Sequence, residues 1–139
     1  MQAGREVKYQ VWIVPTREMK KVTALLFDDD GQLFGVKTPD SEINSCLSIH
    51  TVRIREFTSL HDKNGKEIYE GDIAQNKHGA IGVIRFHKTW GTFYFDTILG
   101  LNEENELVRM RSAVPMWNDW STLTIIGNIY ENPELLQAA

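Results

Sequence analysis

The side chains in this sequence that could carry chemistry most directly are Cys46 and four histidines, His50, His61, His78 and His87. No two histidines have the i, i+4 spacing of a helical His-Glu-x-x-His zinc site, and one cysteine is too few for a structural zinc site. A single cysteine also indicates a reducing compartment, because it has no partner for an intramolecular disulfide. Nucleotide-binding loops and serine-hydrolase motifs are absent as well. The sequence therefore predicts no catalytic residue, no metal site and no cofactor, and indicates a protein that is not an enzyme.

The acidic run at residues 28–30 raises the question of a calcium site. An EF-hand loop needs acidic ligands at its positions 1, 3 and 5, Gly at 6 and Glu at 12. Here Gly31 arrives two residues early, and Gln32 stands where an acidic ligand is needed. The run is therefore predicted to form a turn between two strands, since Asp and Gly both tolerate unusual backbone angles.

Candidate binding residues are aromatic and basic side chains in the second half of the chain. Tryptophan is enriched at protein-binding hot spots, although core packing is the alternative for each tryptophan here. Aromatic and basic residues lie together between positions 85 and 94, a combination that small barrels also use to bind nucleic acid strands. The net charge of −4 and the lack of a basic run make nucleic acid the less favoured partner. The candidate binding residues are Arg85, His87, Lys88, Trp90, Trp117 and Trp120.

The elements that must position these residues are predicted to be short strands. Hydrophobic residues make up 42% of the chain and charged residues 24%, which is typical of a folded globular protein. Residues 5–12 alternate between apolar and polar, which predicts a half-buried strand with Val7, Tyr9 and Val11 on one face. Arg53 and Arg55 are predicted to lie on a solvated strand face, with contact to an anionic partner as the alternative. Further strands are predicted at residues 22–27, 33–36, 72–76, 81–86, 92–99, 107–114 and 123–126.

The spacing of the later strands predicts a meander that curls into a small barrel. Asn132, Pro133 and Glu134 predict the start of a short C-terminal helix, because they suit its cap and first turn. The sequence starts without a signal-peptide pattern and contains no apolar run long enough to cross a bilayer. We therefore expect a cytoplasmic protein without a membrane partner.

Three blocks, residues 5–9 with Trp12, residues 58–73 and residues 126–136, resemble the YopX family of phage and prophage proteins. The resemblance implies a mainly β fold with an SH3-type barrel in the C-terminal part, a phage or prophage origin, and a homo-oligomer. It supplies no catalytic residues. The chain departs from the family pattern at Ser59, where glycine is common, at His61, where lysine is common, and after Trp12, where an acidic residue is usual.

The sequence thus predicts a mainly β fold with minor α content: an N-terminal β-sheet region, residues 1–57, packed with an SH3-like barrel, residues 58–139. The two regions could also form one intimate unit. The expected function is that of a phage accessory protein that self-associates or binds a host or phage protein, with nucleic-acid binding as the alternative. The signature blocks are interpreted as fold determinants, carried by Asn64, Gly65, Tyr69, Gly71, Asp72, Gly127, Tyr130 and Pro133.

Overall fold

The computed structural model of the chain describes residues 6–98, 112–115 and 120–136. Within these ranges the secondary structure consists of twelve strands and three short 3-10 helices, which confirms the mainly β fold. The predicted C-terminal helix is a 3-10 helix of four residues, Pro133–Leu136. The strands are β1 Tyr9–Ile13, β2 Glu18–Lys21, β3 Ala24–Phe27, β4 Leu33–Lys37, β5 Leu47–Ser48, β6 Val52–His61, β7 Glu67–Tyr69, β8 Asp72–Gln75, β9 Ile81–His87, β10 Thr92–Ile98, β11 Ser112–Pro115 and β12 Thr124–Asn128.

The chain divides into two compact units, Met1–Glu56 and Phe57–Ala139. In the first unit, β1 pairs with β2 on one side and with the first half of β6 on the other, and both pairings are antiparallel. A second antiparallel sheet has the order β3-β4-β5. The buried core of this unit consists of Val11, Ile13, Val36 and Val52.

Two predictions for the first unit need correction. The alternation expected in the first strand is wrong at its end, because Val11, Trp12 and Ile13 are all buried, and Val7 lies exposed before the strand. Successive side chains of a strand point to opposite faces, so the burial of all three residues shows that both faces are covered at the end of β1. Arg53 is exposed, but Arg55 is 5% exposed and its Nε donates to Oε1 of Gln10 at 3.0 Å. Arg55 is therefore buried and does not lie on a solvated face.

The second unit contains a five-stranded antiparallel sheet with the order β11-β10-β9-β8-β12. Strands β8, β9 and β10 form the predicted meander. Strand β12, which comes much later in the chain, pairs with β8. The second half of β6 pairs with β7. The finer prediction of an SH3-like barrel stays a prediction. The buried core of the unit consists of Ile68, Ala74, Ile84, Phe93, Phe95, Leu123 and Ile125.

Three hairpins share one kind of turn, which starts with Asp or Asn and has glycine at its fourth residue. In each turn one side-chain oxygen of the first residue accepts the backbone N–H groups of the residues two and four positions later. The glycines have φ of 77°, 84° and 84°, a conformation that costs glycine little. The acidic run at residues 28–30 is therefore part of a turn, as predicted. The three turns span residues 28–32, 62–66 and 76–80.

Candidate functional site

The β9–β10 hairpin carries most of the candidate binding residues at its end. Four residues, 88–91, connect the strands, and Gly91 closes the turn with φ of 66° and an N–H bond to the carbonyl of His87 at 2.8 Å. We call the four ring-bearing residues Phe86, His87, Trp90 and Tyr94 the aromatic end. The cross-strand pairs nearest the turn are His87 with Thr92, Phe86 with Phe93, and Arg85 with Tyr94.

Three rings of the aromatic end hold one another in place. The rings of His87 and Trp90 are stacked, with centroids 4.0 Å apart and planes inclined by 11°. Tyr94 meets both rings edge-on, at centroid distances of 5.2 Å and 6.1 Å. The backbone N–H of Trp90 donates to Nδ1 of His87 at 3.1 Å, so neutral His87 carries its hydrogen on Nε2. A partner would therefore meet rings whose orientation is already fixed, and little side-chain entropy would be lost on binding.

Part of the aromatic end is open to solvent. Phe86 is 46% exposed and Trp90 is 43% exposed. Phe86 also contacts the buried ring of Phe93 edge-on, with centroids 5.4 Å apart, so the exposed ring is anchored on the core. The strand register places Phe86 with Phe93 on one face of the hairpin and His87 with Tyr94 on the other, where Trp90 is stacked on His87. The two exposed rings therefore lie at the same end of the hairpin, one on each face.

The charge beside the aromatic end is modestly positive. Lys88 is exposed at the turn. Arg85 lies on the strand next to it, and its Nε contacts Oδ2 of Asp96 at 3.1 Å. The arginine side chain is 47% exposed and the carboxylate 10%, so solvent screens the pair and it adds little stability. Its main effect is to fix the guanidinium and to offset part of its charge.

Of the remaining two tryptophans in the candidate set, the structure describes Trp120. Trp120 is partly buried against the core of its own unit, and its carbonyl accepts the N–H of Leu123 at 3.1 Å. Trp117 lies outside the described residues. The structure thus brings Arg85, His87, Lys88 and Trp90 together at the end of the β9–β10 hairpin, whereas Trp120 packs against the core of the unit. Phe86 and Tyr94 belong to the aromatic and basic run between positions 85 and 94 but not to the candidate set. Tyr94 contacts the stacked rings, and Phe86 lies on the other face of the same hairpin end.

The second and third signature blocks meet where β8 pairs with β12. Gly71 donates its N–H to the carbonyl of Ile84 at 2.7 Å and accepts the N–H of Ile129 at 2.9 Å. Its φ is 85°, and a Cβ atom there would lie 3.2 Å from Cε2 of Tyr130. Asp72 follows, is buried, and accepts the N–H of Tyr69 at 2.7 Å. These contacts give the two blocks a direct role in joining neighbouring strands that are far apart in sequence.

The Tyr69 side chain lies between polar and apolar neighbours. Its ring is buried and packs on Phe57 with centroids 5.4 Å apart, and its hydroxyl lies 3.2 Å from Oε1 of Glu67, to which it donates. This arrangement buries the aromatic body and keeps the hydroxyl bonded, as buried tyrosines require.

The chain after β12 turns back on itself through two asparagines. Oδ1 of Asn128 accepts the N–H groups of Tyr130 and Glu131, at 3.0 Å and 2.8 Å. Oδ1 of Asn132 accepts the N–H of Asn128 at 3.2 Å, and a Cβ at Gly127 would lie 2.6 Å from that same oxygen. Pro133 then begins the final 3-10 helix. The closing block is therefore a hydrogen-bonded turn that needs glycine at position 127.

Asp62 is a structural residue that sequence reasoning missed. Its Oδ1 accepts the N–H groups of Asn64 and Lys66, at 2.8 Å and 2.9 Å, in the turn that also contains Gly65. Its Oδ2 accepts the N–H of Ile125 at 3.0 Å, and the next N–H, of Lys63, donates to the carbonyl of Leu123 at 2.9 Å. The turn thus covers the open edge of β12. The repeated Asp/Asn-x-x-Gly spacing was visible in the sequence, but the bond to Ile125 was not.

The three N–H donors control the ionisation of Asp62. Burial is the largest single influence and raises the pKa, because it penalises the charged carboxylate. The backbone hydrogen bonds from Ile125, Lys66 and Asn64, with the charge of Lys66, together outweigh it. The pKa of Asp62 therefore lies below its ordinary value, and the group is ionised at neutral pH.

His61 and Cys46 are two of the side chains that the sequence offered for chemistry. His61 is exposed and contacts Phe57 edge-on, with centroids 5.7 Å apart. Cys46 is exposed. Among residues 6–98, 112–115 and 120–136, no three His, Cys, Asp or Glu side chains are grouped so as to hold a metal ion. The helices in those same ranges are all too short to cross a membrane.

Comparisons with known proteins identify relatives without a described activity. A family model described as "YopX protein" matches residues 8–137. A crystal structure of protein EF1440 from Enterococcus faecalis is similar to this chain, with 27% sequence identity and a TM-score of 0.63. The alignment covers 96% of this chain and 99% of that chain. No curated protein matches the sequence.

Proposed function

The chain belongs to the YopX protein family, and we propose that it is a protein-binding module without catalytic activity that associates with further copies of itself through the aromatic end. Its setting is the cytoplasm of a bacterium that carries a phage or prophage, where it acts as an accessory protein. Host or phage proteins that offer a surface able to bind the aromatic end are further partners.

The observation that carries this proposal is that the rings of Phe86 and Trp90 are exposed to solvent and are already held in position by neighbouring rings. Trp90 is stacked on His87, and Phe86 rests on buried Phe93. Large rings of this kind dominate binding energy at protein interfaces when water is excluded around them. Because their positions are fixed before binding, more of the energy of burial is available for affinity.

Nucleic-acid binding is the second candidate, and the stacked pair of His87 and Trp90 beside Lys88 favours it. A base could extend such a stack, and stacking contributes about 1–3 kcal/mol per base. Against it stands the charge of the surroundings: Arg85 is already paired with Asp96, and the chain has a net charge of −4. Phosphate contacts supply most nonspecific affinity for nucleic acid, so a surface with little free positive charge is the poorer match.

Size-exclusion chromatography with light scattering tests the proposal, with absorbance recorded at two wavelengths over a range of protein concentrations. The wild-type mass is expected to rise with concentration without nucleic-acid absorbance. A Phe86→Ser/Trp90→Ser variant is expected to associate at least about 30-fold more weakly, since loss of a hot spot of 2 kcal/mol has that effect.

Ile43→Ser is the matched control, because Ile43 is a large apolar side chain that is 89% exposed and lies in the first unit. This control is expected to associate like the wild type. Equal association by the wild type and the double variant would refute the role of the aromatic end. Co-elution with nucleic acid that is released at high salt would instead support the second candidate.

A further inference from the structure

A second exposed aromatic surface lies in the first unit, at the tip of the β3–β4 hairpin. Phe27 is 56% exposed and Phe34 is 46% exposed. The register shifts between Leu26 and Phe27, so Phe34 is an extra residue beside the Phe27–Leu33 pair. The two phenylalanines therefore occupy neighbouring positions at the end of the hairpin.

The turn beyond these phenylalanines is acidic, with three successive carboxylates at residues 28–30. Oδ1 of Asp28 is used within the turn, where it accepts the N–H groups of Asp30 and Gln32, each at 2.9 Å. Asp29 and Asp30 are exposed and form no ion pair within the part of the chain that the structure describes. We call Phe27, Phe34, Asp29 and Asp30 the acidic tip.

The acidic tip and the aromatic end match each other in chemistry. Each presents two exposed large apolar side chains at the end of a hairpin. Lys88 adds an exposed cation beside the aromatic end, where Arg85 is already paired with Asp96, and Asp29 and Asp30 add two exposed carboxylates to the acidic tip. Two aromatic ends would bring like charges together, whereas an aromatic end against an acidic tip pairs opposite charges and buries apolar rings on both sides.

We infer that the aromatic end of one copy binds the acidic tip of a second copy. This inference rests on the proposed function and names the partner surface for it. The contact joins two different surfaces, so a bound pair still offers one unused aromatic end and one unused acidic tip, and association continues to rings or open chains. Charge attraction contributes to it, so association is expected to weaken as salt is raised.

Two variants that each disable one surface give the decisive experiment. The tip variant carries Phe27→Ser, Asp29→Lys and Asp30→Lys, and leaves Asp28 in place because that residue holds the turn. The end variant carries Trp90→Ser and Lys88→Glu. All substituted side chains are exposed, so folding is expected to be retained, and circular dichroism checks it. Each variant is analysed alone and in an equal mixture by size exclusion with light scattering.

We expect each variant to be monomeric alone and the mixture to form a heterodimer, because it contains one intact aromatic end and one intact acidic tip. Its mass stops at twice that of the monomer, since no further complementary pair remains. A further double variant, Asp29→Asn/Asp30→Asn, keeps the aromatic rings and removes only the two negative charges. It is expected to weaken association severalfold and to reduce the dependence of association on salt.

The outcomes separate this inference from the proposed function. If the end variant is monomeric but the tip variant associates like the wild type, the aromatic end binds another surface, and the inference fails while the proposed function stands. If neither variant is impaired, or the wild type itself remains monomeric at every concentration, both fail.

Discussion

Asn in place of Asp62 should destabilise the second unit far more than the same change at Asp28. Both aspartates make the same two bonds inside their turns, through Oδ1 to the N–H groups two and four residues later. Asp62 alone of the two adds a bond from Oδ2 to the N–H of Ile125, at 3.0 Å, and is buried. The natural turn that begins at Asn76 shows that asparagine is compatible with this geometry.

The expected magnitude follows from the bond that is lost. In Asp62→Asn, keeping Oδ1 in the turn places the amide NH2 group against the N–H of Ile125, so two donors face each other. Rotating the amide restores that bond and breaks the two in the turn. A hydrogen bond to a charged group contributes roughly 1.5–3 kcal/mol, so the free energy of unfolding should fall by about 2 kcal/mol more at Asp62 than at Asp28.

Urea unfolding, followed by circular dichroism and tryptophan fluorescence, measures the difference. With a slope of about 1 kcal/mol per molar for a small unit, the midpoint should move by roughly 2 M. Hydrogen exchange at the Ile125 amide gives the local measure, and that amide should lose protection in Asp62→Asn. Equal stability of the two variants, with unchanged protection at Ile125, would refute the reasoning.

The same bonds predict a pH dependence. The pKa of Asp62 is lower in the folded chain than its ordinary value of 3.8. Its contribution to stability is therefore complete above that ordinary value and is lost as the pH falls through the folded pKa. The stability difference between wild type and Asp62→Asn should be constant near neutral pH and shrink below about pH 4. A difference that stays constant in acid would contradict this assignment of charge.

Two further predictions concern backbone conformation. Ser59 has φ of 71°, a backbone conformation that residues with a side chain rarely adopt, so Ser59→Gly should raise the free energy of unfolding by about 1 kcal/mol. The control is Ser48→Gly, which should not stabilise the protein because Ser48 has φ of −67°. An equal stabilisation by both substitutions would show that the φ of Ser59 is not the cause. Gly71→Ala should destabilise by about 2 kcal/mol more than Gly65→Ala, since both have positive φ but only Gly71 has a neighbour, Tyr130, 3.2 Å from the added Cβ. Thermal unfolding of these variants compares them, and equal losses at both glycines would show that contact with Tyr130 is unimportant.

The structure gives a physical reason why glycine is suited to position 59, where this chain departs from the family pattern. The family commonly has glycine there, and this chain has serine in a conformation suited to glycine. The pairing of β6 with β7 shifts its register between Phe57 and His61, so Ser59 lies at the irregularity. The shift is a property of the pairing between β6 and β7, so it becomes visible only when the two strands are seen together.

Local features of this chain followed from its sequence. Turns with glycine at a fixed place, the hairpins between them and the mainly β fold depend on neighbouring residues, whose conformational preferences act over a few positions. The three blocks that resemble the YopX family also marked residues, such as Gly71 and Gly127, where a side chain would meet a neighbour.

Contacts between distant residues needed the folded chain. The sequence could not show that the N–H of Ile125, far along the chain, donates to Asp62, or that Arg55 is buried and donates to Gln10. It likewise brought Trp90 and Trp120 into one candidate set, and packing then exposed the first and partly buried the second. Residue type and spacing determine the local conformation of the chain. Which side chains become buried and which stay exposed depends on which strands pack together, and only the tertiary structure decides that.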